Sequence, residues 1–224
     1  MSPLLVYALL DASPARLEPG LGMGGEPLRV VPIAGTSAFA ALVGEVDAAP
    51  AIAAEALRAY DQTLRRVSAQ VEALLPMRFG TRVAGLAELD GSLAPRRVEL
   101  EEALARVRAR EQVTMRVYQE RPSPEAVAGE GPGARYLRSR ARAAAPPELP
   151  ALHAALASLV CAERVQVHAA PPLVASVFHL IPRGRSASYR EVVAGCAPPE
   201  GVTVRVSGPW PPYAFADHPR RDHV

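Results

Sequence analysis

Between Ser207 and Phe215 the chain runs Ser-Gly-Pro-Trp-Pro-Pro-Tyr-Ala-Phe, with Pro209, Pro211 and Pro212 inside four positions. Each proline fixes its own φ and removes an amide donor, so no helix can form here. Each also drives the residue before it into an extended conformation. The segment is therefore expected to be a stiff ribbon close to polyproline II. Positions 210–215 hold Trp210, the one tryptophan of the chain, together with Tyr213 and Phe215. Large side chains on a stiff backbone lose little entropy on docking, so the ribbon must dock on its own body or on another protein. Gly208, Pro209, Trp210, Pro211, Pro212, Tyr213 and Phe215 are thus candidate interaction or domain-locking residues.

Upstream, short apolar runs at Leu4–Leu10, Leu28–Ile33 and Phe39–Val46 read as strands. A proline- and glycine-rich loop, Asp11–Glu26, separates the first two. Pro50 opens a helix, where its missing donor is harmless. Leu57, Tyr60, Leu64, Val67, Val71 and Leu74 then form an apolar stripe at helical spacing. The stripe suits a core helix on a sheet or a partner-binding coiled-coil seam. Asp61 precedes Arg65 by four, the favourable order for an ion pair. Pro76 ends the helix. Met77, Arg78 and Phe79 are expected to form a short strand, and Gly80 permits a turn. Arg78 between apolar neighbours calls for a carboxylate partner inside the domain or for a client protein to contact. Pro76, Arg78, Phe79 and Gly80 join the candidate residues. Leu86–Leu93 and Pro95–Arg110 read as helices, the second with Leu100, Leu104 and Val107 on one face, Glu102 four before Arg106, and Ser92 as a cap upstream. A domain boundary falls near residue 110.

Beyond it, Val113–Tyr118 alternates apolar and polar as a half-buried strand does. A loop spans 121–132. A helix begins near Ala134, is broken at Pro146, Pro147 and Pro150, and resumes through Leu152, Leu156, Leu159 and Val160. Arg164–His168 and Leu173–Ile181 read as strands. Ser186 or Ser188 caps a helix bearing Tyr189, Val192 and Val193, and Val202–Val206 is the last strand. This order, βαββαβ, is ferredoxin-like. The expected fold class is α+β in two domains: a mixed α+β domain over 1–109 and a ferredoxin-like domain over 110–224. The aromatic segment leaves the last strand and wraps back over the body.

The 25 basic residues are all arginine and face 23 acidic ones, for a net charge of +2. That balance gives no ground for a nucleic-acid or membrane partner. Arg135, Arg138 and Arg142 share a helix face but have no aromatic platform beside them, as a solvated face does. Cys161 and Cys196 form no metal or redox motif and are expected to be buried, reduced thiols. The N-terminus lacks signal-peptide character, and no apolar run reaches the roughly 20 residues of a transmembrane helix. A cytoplasmic protein is expected. No phosphate-binding loop or nucleophile elbow is present. Gly20, Gly22, Gly24 and Gly25 lack the strand-then-helix context of a dinucleotide loop. His218 and His223 lie with Asp217 and Asp222, a grouping that suits a metal or, more simply, a solvated tail. His153, His168 and His179 stand alone. No catalytic, cofactor or metal site is expected.

Two stretches carry a family resemblance. Val206–Phe215 (VSGPWPPYAF) resembles the closing signature of the gas vesicle GvpF/GvpL family, and Leu75–Thr81 (LPMRFGT) resembles its LPxRFGT segment. Gly133–Leu137 (GARYL) is similar to its mid-chain GRxYL, and order and spacing agree over almost the whole chain. The resemblance implies an N-terminal α+β domain followed by a modified ferredoxin-like domain. It also implies a non-enzymatic accessory protein of gas vesicle assembly that binds GvpA, the small amphipathic shell subunit, and helps start or order the shell. Other accessory gas vesicle proteins are candidate further partners. From a different class, ferredoxin-like folds also host enzymes and small-ligand sensors. That alternative requires a polar pocket with perturbed titratable groups, and the sequence shows no cluster to supply one.

Overall fold

The computed structural model describes residues 3–11, 17–119, 149–168 and 171–216. It is a mixed α+β structure with two antiparallel sheets. The chain packs as two compact units, one built from residues up to Arg110 together with those from Trp210 onward, the other from Glu111–Pro209.

In the first unit, β1 (Leu4–Asp11) is buried along its whole length. It lies inside the sheet, between β3 (Phe39–Glu45) on one side and β4 (Leu74–Pro76) on the other; β2 (Leu28–Pro32) adds to β3, and β5 (Arg82–Val83) also pairs with β1. A strand covered on both faces reads as a continuous apolar run, which is why Leu4–Leu10 was legible. Pairing of β1 with β3 runs from Leu4↔Glu45 to Asp11↔Phe39 and slips between Val6 and Ala8, leaving Tyr7 as a bulged residue. Helix α1 (Ala54–Ser68) packs Tyr60, Leu64 and Val67 into a core with Tyr7, Leu42 and Leu74.

Several boundaries differ from expectation here. Helix α1 starts at Ala54 rather than Pro50 and stops at Ser68, not at Pro76. Val71 and Leu74 remain buried, but in a turn and in β4. Pro76 is therefore a strand residue. Strand β4 is an edge strand, where a missing donor leaves no ladder bond unmade. Met77–Phe79 is not a strand but leads into a turn at Phe79–Gly80. Helix α2 (Leu86–Leu93) agrees with expectation; a 3₁₀ turn (Ala94–Arg96) then leads into α3 (Arg97–Val107). Ser92 caps nothing: it lies inside α2 and donates to the Leu89 carbonyl. Helix α3 ends three residues early because Ala109 is left-handed (φ +53°) and its N–H is bonded to Glu72 O at 2.8 Å.

The second unit carries a four-stranded sheet ordered β7-β8-β6-β9, from β6 (Arg110–Gln119), β7 (Ala162–Val167), β8 (Leu173–Pro182) and β9 (Val202–Trp210). Strands β7 and β8 form a hairpin with Ala162↔Leu180 through Val167↔Ala175 in register. Helices α4 (Pro150–Leu156) and α5 (Ser186–Gly195) contribute Leu152, Leu156 and Tyr189 to a core with Val113, Met115 and Val177. Helix α4 stops at Leu156, short of the expected Leu159 and Val160. Arg185 occupies the cap position of α5, and neither Ser186 nor Ser188 makes a capping bond. The expected loop at 121–132, the helix start near Ala134, the Gly133–Leu137 motif and Arg135, Arg138 and Arg142 lie outside the described residues. So do Asp217, His218, Asp222 and His223.

Candidate functional site

Helix α1 is the element on which the two recognisable segments of the first unit converge. The Leu75–Thr81 segment meets it through Tyr60. The Tyr60 ring stands edge-on to Phe79, with centroids 5.4 Å apart, and stacks on Tyr7 at 5.2 Å. Its hydroxyl points at two carbonyls, Met77 O at 2.7 Å and Tyr7 O at 3.0 Å, and its single proton is shared between them. Tyr7 O also accepts the Met77 N–H at 2.8 Å. The bulge at Tyr7 thus turns a backbone acceptor toward the motif. Burial, and next the neighbouring Tyr7, push the Tyr60 phenol well above its ordinary pKa. Gly80 closes the turn at φ +78°, a conformation side-chain-bearing residues rarely adopt.

The C-terminal segment meets the same helix one residue further on. Tyr213 donates its hydroxyl hydrogen to Asp61 Oδ1 at 2.7 Å. Arg65 Nε donates to the other oxygen, Oδ2, at 2.7 Å. The Arg65 guanidinium carbon lies 4.0 Å from the centre of the Trp210 ring, a cation–π contact. Burial first, and then the hydrogen bond to Asp61, raise the Tyr213 phenol pKa. Pro211, Pro212 and Phe215 are buried, Trp210 and Tyr213 half-buried, and Pro209 exposed. The expected polyproline ribbon is corrected: Ser207–Trp210 continue β9, and Tyr213–Phe215 form a 3₁₀ turn in which Phe215 N–H reaches Pro212 O at 3.0 Å. Pro209 is tolerated because β9 is an edge strand. Gly208 takes φ +121°, and the Gly208–Pro209 and Pro171–Pro172 bonds are cis, while Trp210–Pro211 is not.

The structure therefore gathers Pro76, Phe79, Gly80, Trp210, Pro211, Pro212, Tyr213 and Phe215 in one unit, with α1 between the two motifs. Arg78 stands apart from the packing. It is exposed, and among the described residues it belongs to none of the ion pairs, so no carboxylate partner is found for it there. The residues that sequence reasoning missed as part of this site are Tyr7, Tyr60, Asp61 and Arg65. The Asp61–Arg65 spacing was visible, but its role as the receptor for Trp210 and Tyr213 links positions about 150 apart and leaves no local signal.

The second unit holds an apolar groove of about 700 Å³ lined by Leu152, Val193, Cys196, Pro198, Val202 and Val204. Cys196 is half-buried there, and Cys161 is exposed, not buried; both thiols are free. His179 does not stand alone: it bonds Glu163 and Tyr189. His168 Nε2 lies 2.9 Å from Ser176 Oγ. Among the described residues no group of three or more His, Cys, Asp or Glu side chains is placed to hold a metal. Among them, too, no helix is long and apolar enough to cross a membrane.

A sequence profile described as "Gas vesicle synthesis protein GvpL/GvpF" matches residues 3–217. The chain belongs to the GvpL/GvpF family. Membership assigns it a role in gas vesicle formation. Among GvpL/GvpF relatives it is similar to "Gas vesicle protein L" of Streptomyces sp. (strain CB03234), at 31% identity, with 94% of this chain and 91% of that protein covered. Its fold matches the crystal structure of GvpF from Anabaena sp. PCC7120 with a TM-score of 0.76 at 17% identity, each chain fully covered. GvpF from Microcystis aeruginosa matches with a TM-score of 0.73 at 14% identity, over 97% of this chain and 100% of that one. The α+β architecture with two antiparallel sheets is thus that of the GvpF structures.

Proposed function

We propose that this GvpL/GvpF chain is a non-enzymatic accessory protein that acts in the cytoplasm and at the gas vesicle, binding the shell subunit GvpA and helping to nucleate or order the shell. Other accessory gas vesicle proteins are further candidate partners. The observation that carries the reading is the convergence of both motif segments on α1, with Arg78 exposed at its turn and in no ion pair among the described residues. Trp210, Tyr213 and Phe79 hold the surface in shape, and Arg78 offers it to the client. An aggregation-prone client benefits from a partner that covers its apolar or strand-forming surface.

The two-domain reading, with a ferredoxin-like second domain, belongs to the same proposal. It is supported by the order β7-β8-β6-β9 and by the division of packing near residue 110. The contacts of the segment from Trp210 onward favour counting it with the first domain.

Capture of purified GvpA on the immobilised full chain tests the function. Arg78→Ala is expected to weaken capture at least several-fold while leaving the unfolding midpoint unchanged. Trp210→Ala is expected to lower both. If the wild-type chain retains no GvpA, the reading fails. If Arg78→Ala and a still-folded Trp210→Ala both bind as the wild type does, these segments are structural only.

A further inference from the structure

A chain of hydrogen bonds runs from an exposed carboxylate into the core of the second unit. His179, on β8, is 1% exposed, and both ring nitrogens are engaged. Nε2 lies 2.7 Å from Oε2 of Glu163, the cross-strand partner of His179 on β7. Nδ1 lies 2.6 Å from the hydroxyl of Tyr189 on α5, a side chain with no exposed surface. Carboxylate, imidazole and hydroxyl follow one another as in an activated nucleophile, but a fully buried phenol presents nothing to a substrate.

The partners fix the protons. A carboxylate only accepts, so Nε2 carries the hydrogen and donates it to Glu163. Nδ1 is then the acceptor, and the Tyr189 hydroxyl donates to it. We propose that Glu163, His179 and Tyr189 form an acid-released lock that ties α5 to the β7–β8 hairpin. A proton from solvent adds to the Nδ1 lone pair, and that nitrogen becomes a donor. Two hydrogens then face each other, and the phenolic one must turn away. The hydroxyl makes no other hydrogen bond among the described residues, and a buried donor without a partner is destabilising. The groups facing the imidazole oppose one another: Glu163 on β7 favours its positive charge, and His153 on α4 disfavours it. Burial outweighs Glu163 and holds the imidazole toward its neutral form. On α5, Arg190 is directed to the Gly208 carbonyl rather than to this chain of bonds. Helix α5 also supplies Val193 and Ala194 to the apolar groove, so release of Tyr189 alters one wall of it.

Hydrogen exchange of the α5 amides in the full chain, corrected for the intrinsic pH dependence of exchange, reads the lock. Wild-type protection is expected to fall by up to about tenfold per pH unit, the slope of one proton, as pH drops below the ordinary histidine range. His179→Gln replaces both bonds with an amide that does not titrate, so α5 stays protected and its profile is flat. Tyr189→Phe uncouples α5 from the imidazole, so protection is low at every pH and again flat. A flat wild-type profile overturns the lock. So does an acid loss in Tyr189→Phe as steep as in wild type, which decides the matter even where His179→Gln fails to fold. An equal acid loss in the α1 amides also overturns it, because that marks global unfolding.

Discussion

Asp61 on α1 ties two parts of the chain together, since its two oxygens serve different partners. One takes the Arg65 Nε–H, and the other takes the Tyr213 hydroxyl from far along the chain. The two bonds differ in worth. The Arg65 pair is a partly exposed i,i+4 helix contact, of the kind that contributes about 0.3–0.5 kcal/mol. The Tyr213 bond is charge-assisted and half-buried, and it fixes a distant segment. Tyr213→Phe is therefore expected to lower unfolding free energy by about 1–2 kcal/mol, measured by urea denaturation. A change within error would mean that packing of Pro211, Pro212 and Phe215 alone holds the segment.

At the scale of elements, turns decide how the packed strands and helices are joined. Gly80 sits at φ +78° with nothing within 4 Å of where a Cβ would lie, so a substitution there meets backbone strain and no clash. Gly80→Ala is expected to cost about 1–2 kcal/mol, read as a shift in denaturation midpoint; an unchanged midpoint would contradict the strained turn. Buried strands such as β1 and β3 were legible because continuous apolar runs admit few other uses. Helix α1 was overextended for a related reason. Val71 and Leu74 keep the apolar spacing because the core needs them, although the chain has already left the helix for a turn and β4. The Glu163–His179–Tyr189 chain was invisible for a geometric reason. Starting β7 at Arg164 rather than Ala162 leaves out Glu163, and with it the cross-strand pairing that puts a carboxylate beside His179. The candidate site was half legible. Its motif residues stood out by composition, whereas the helix that receives them looks like any amphipathic helix.

At the scale of the whole molecule, four phenols among the described residues have raised pKa values, chiefly from burial: Tyr7, Tyr60 and Tyr213 in the first unit and Tyr189 in the second. A phenol that ionises near 10 when unfolded, and only above that when folded, stabilises fully below pH 10. That contribution is lost as pH rises further, at about 1.4 kcal/mol per pH unit for each group. His179 has the opposite sense. Its lowered pKa gives stability that is complete above about 6.5 and lost as pH falls toward the folded value. Alkali is thus expected to weaken the first unit most. Trp210 lies in that unit and is the sole indole, so its fluorescence during denaturation reports there. Its midpoint should drop steeply between pH 10 and 11, and a midpoint constant over that range would refute the assignment. Because α1 grips both motif segments, its own surface constitutes a third, unadvertised motif: an aromatic at 60, an acid at 61 and an arginine at 65. Any kindred sequence that preserves the proline-rich ending but abandons this trio has to fasten that ending by other means.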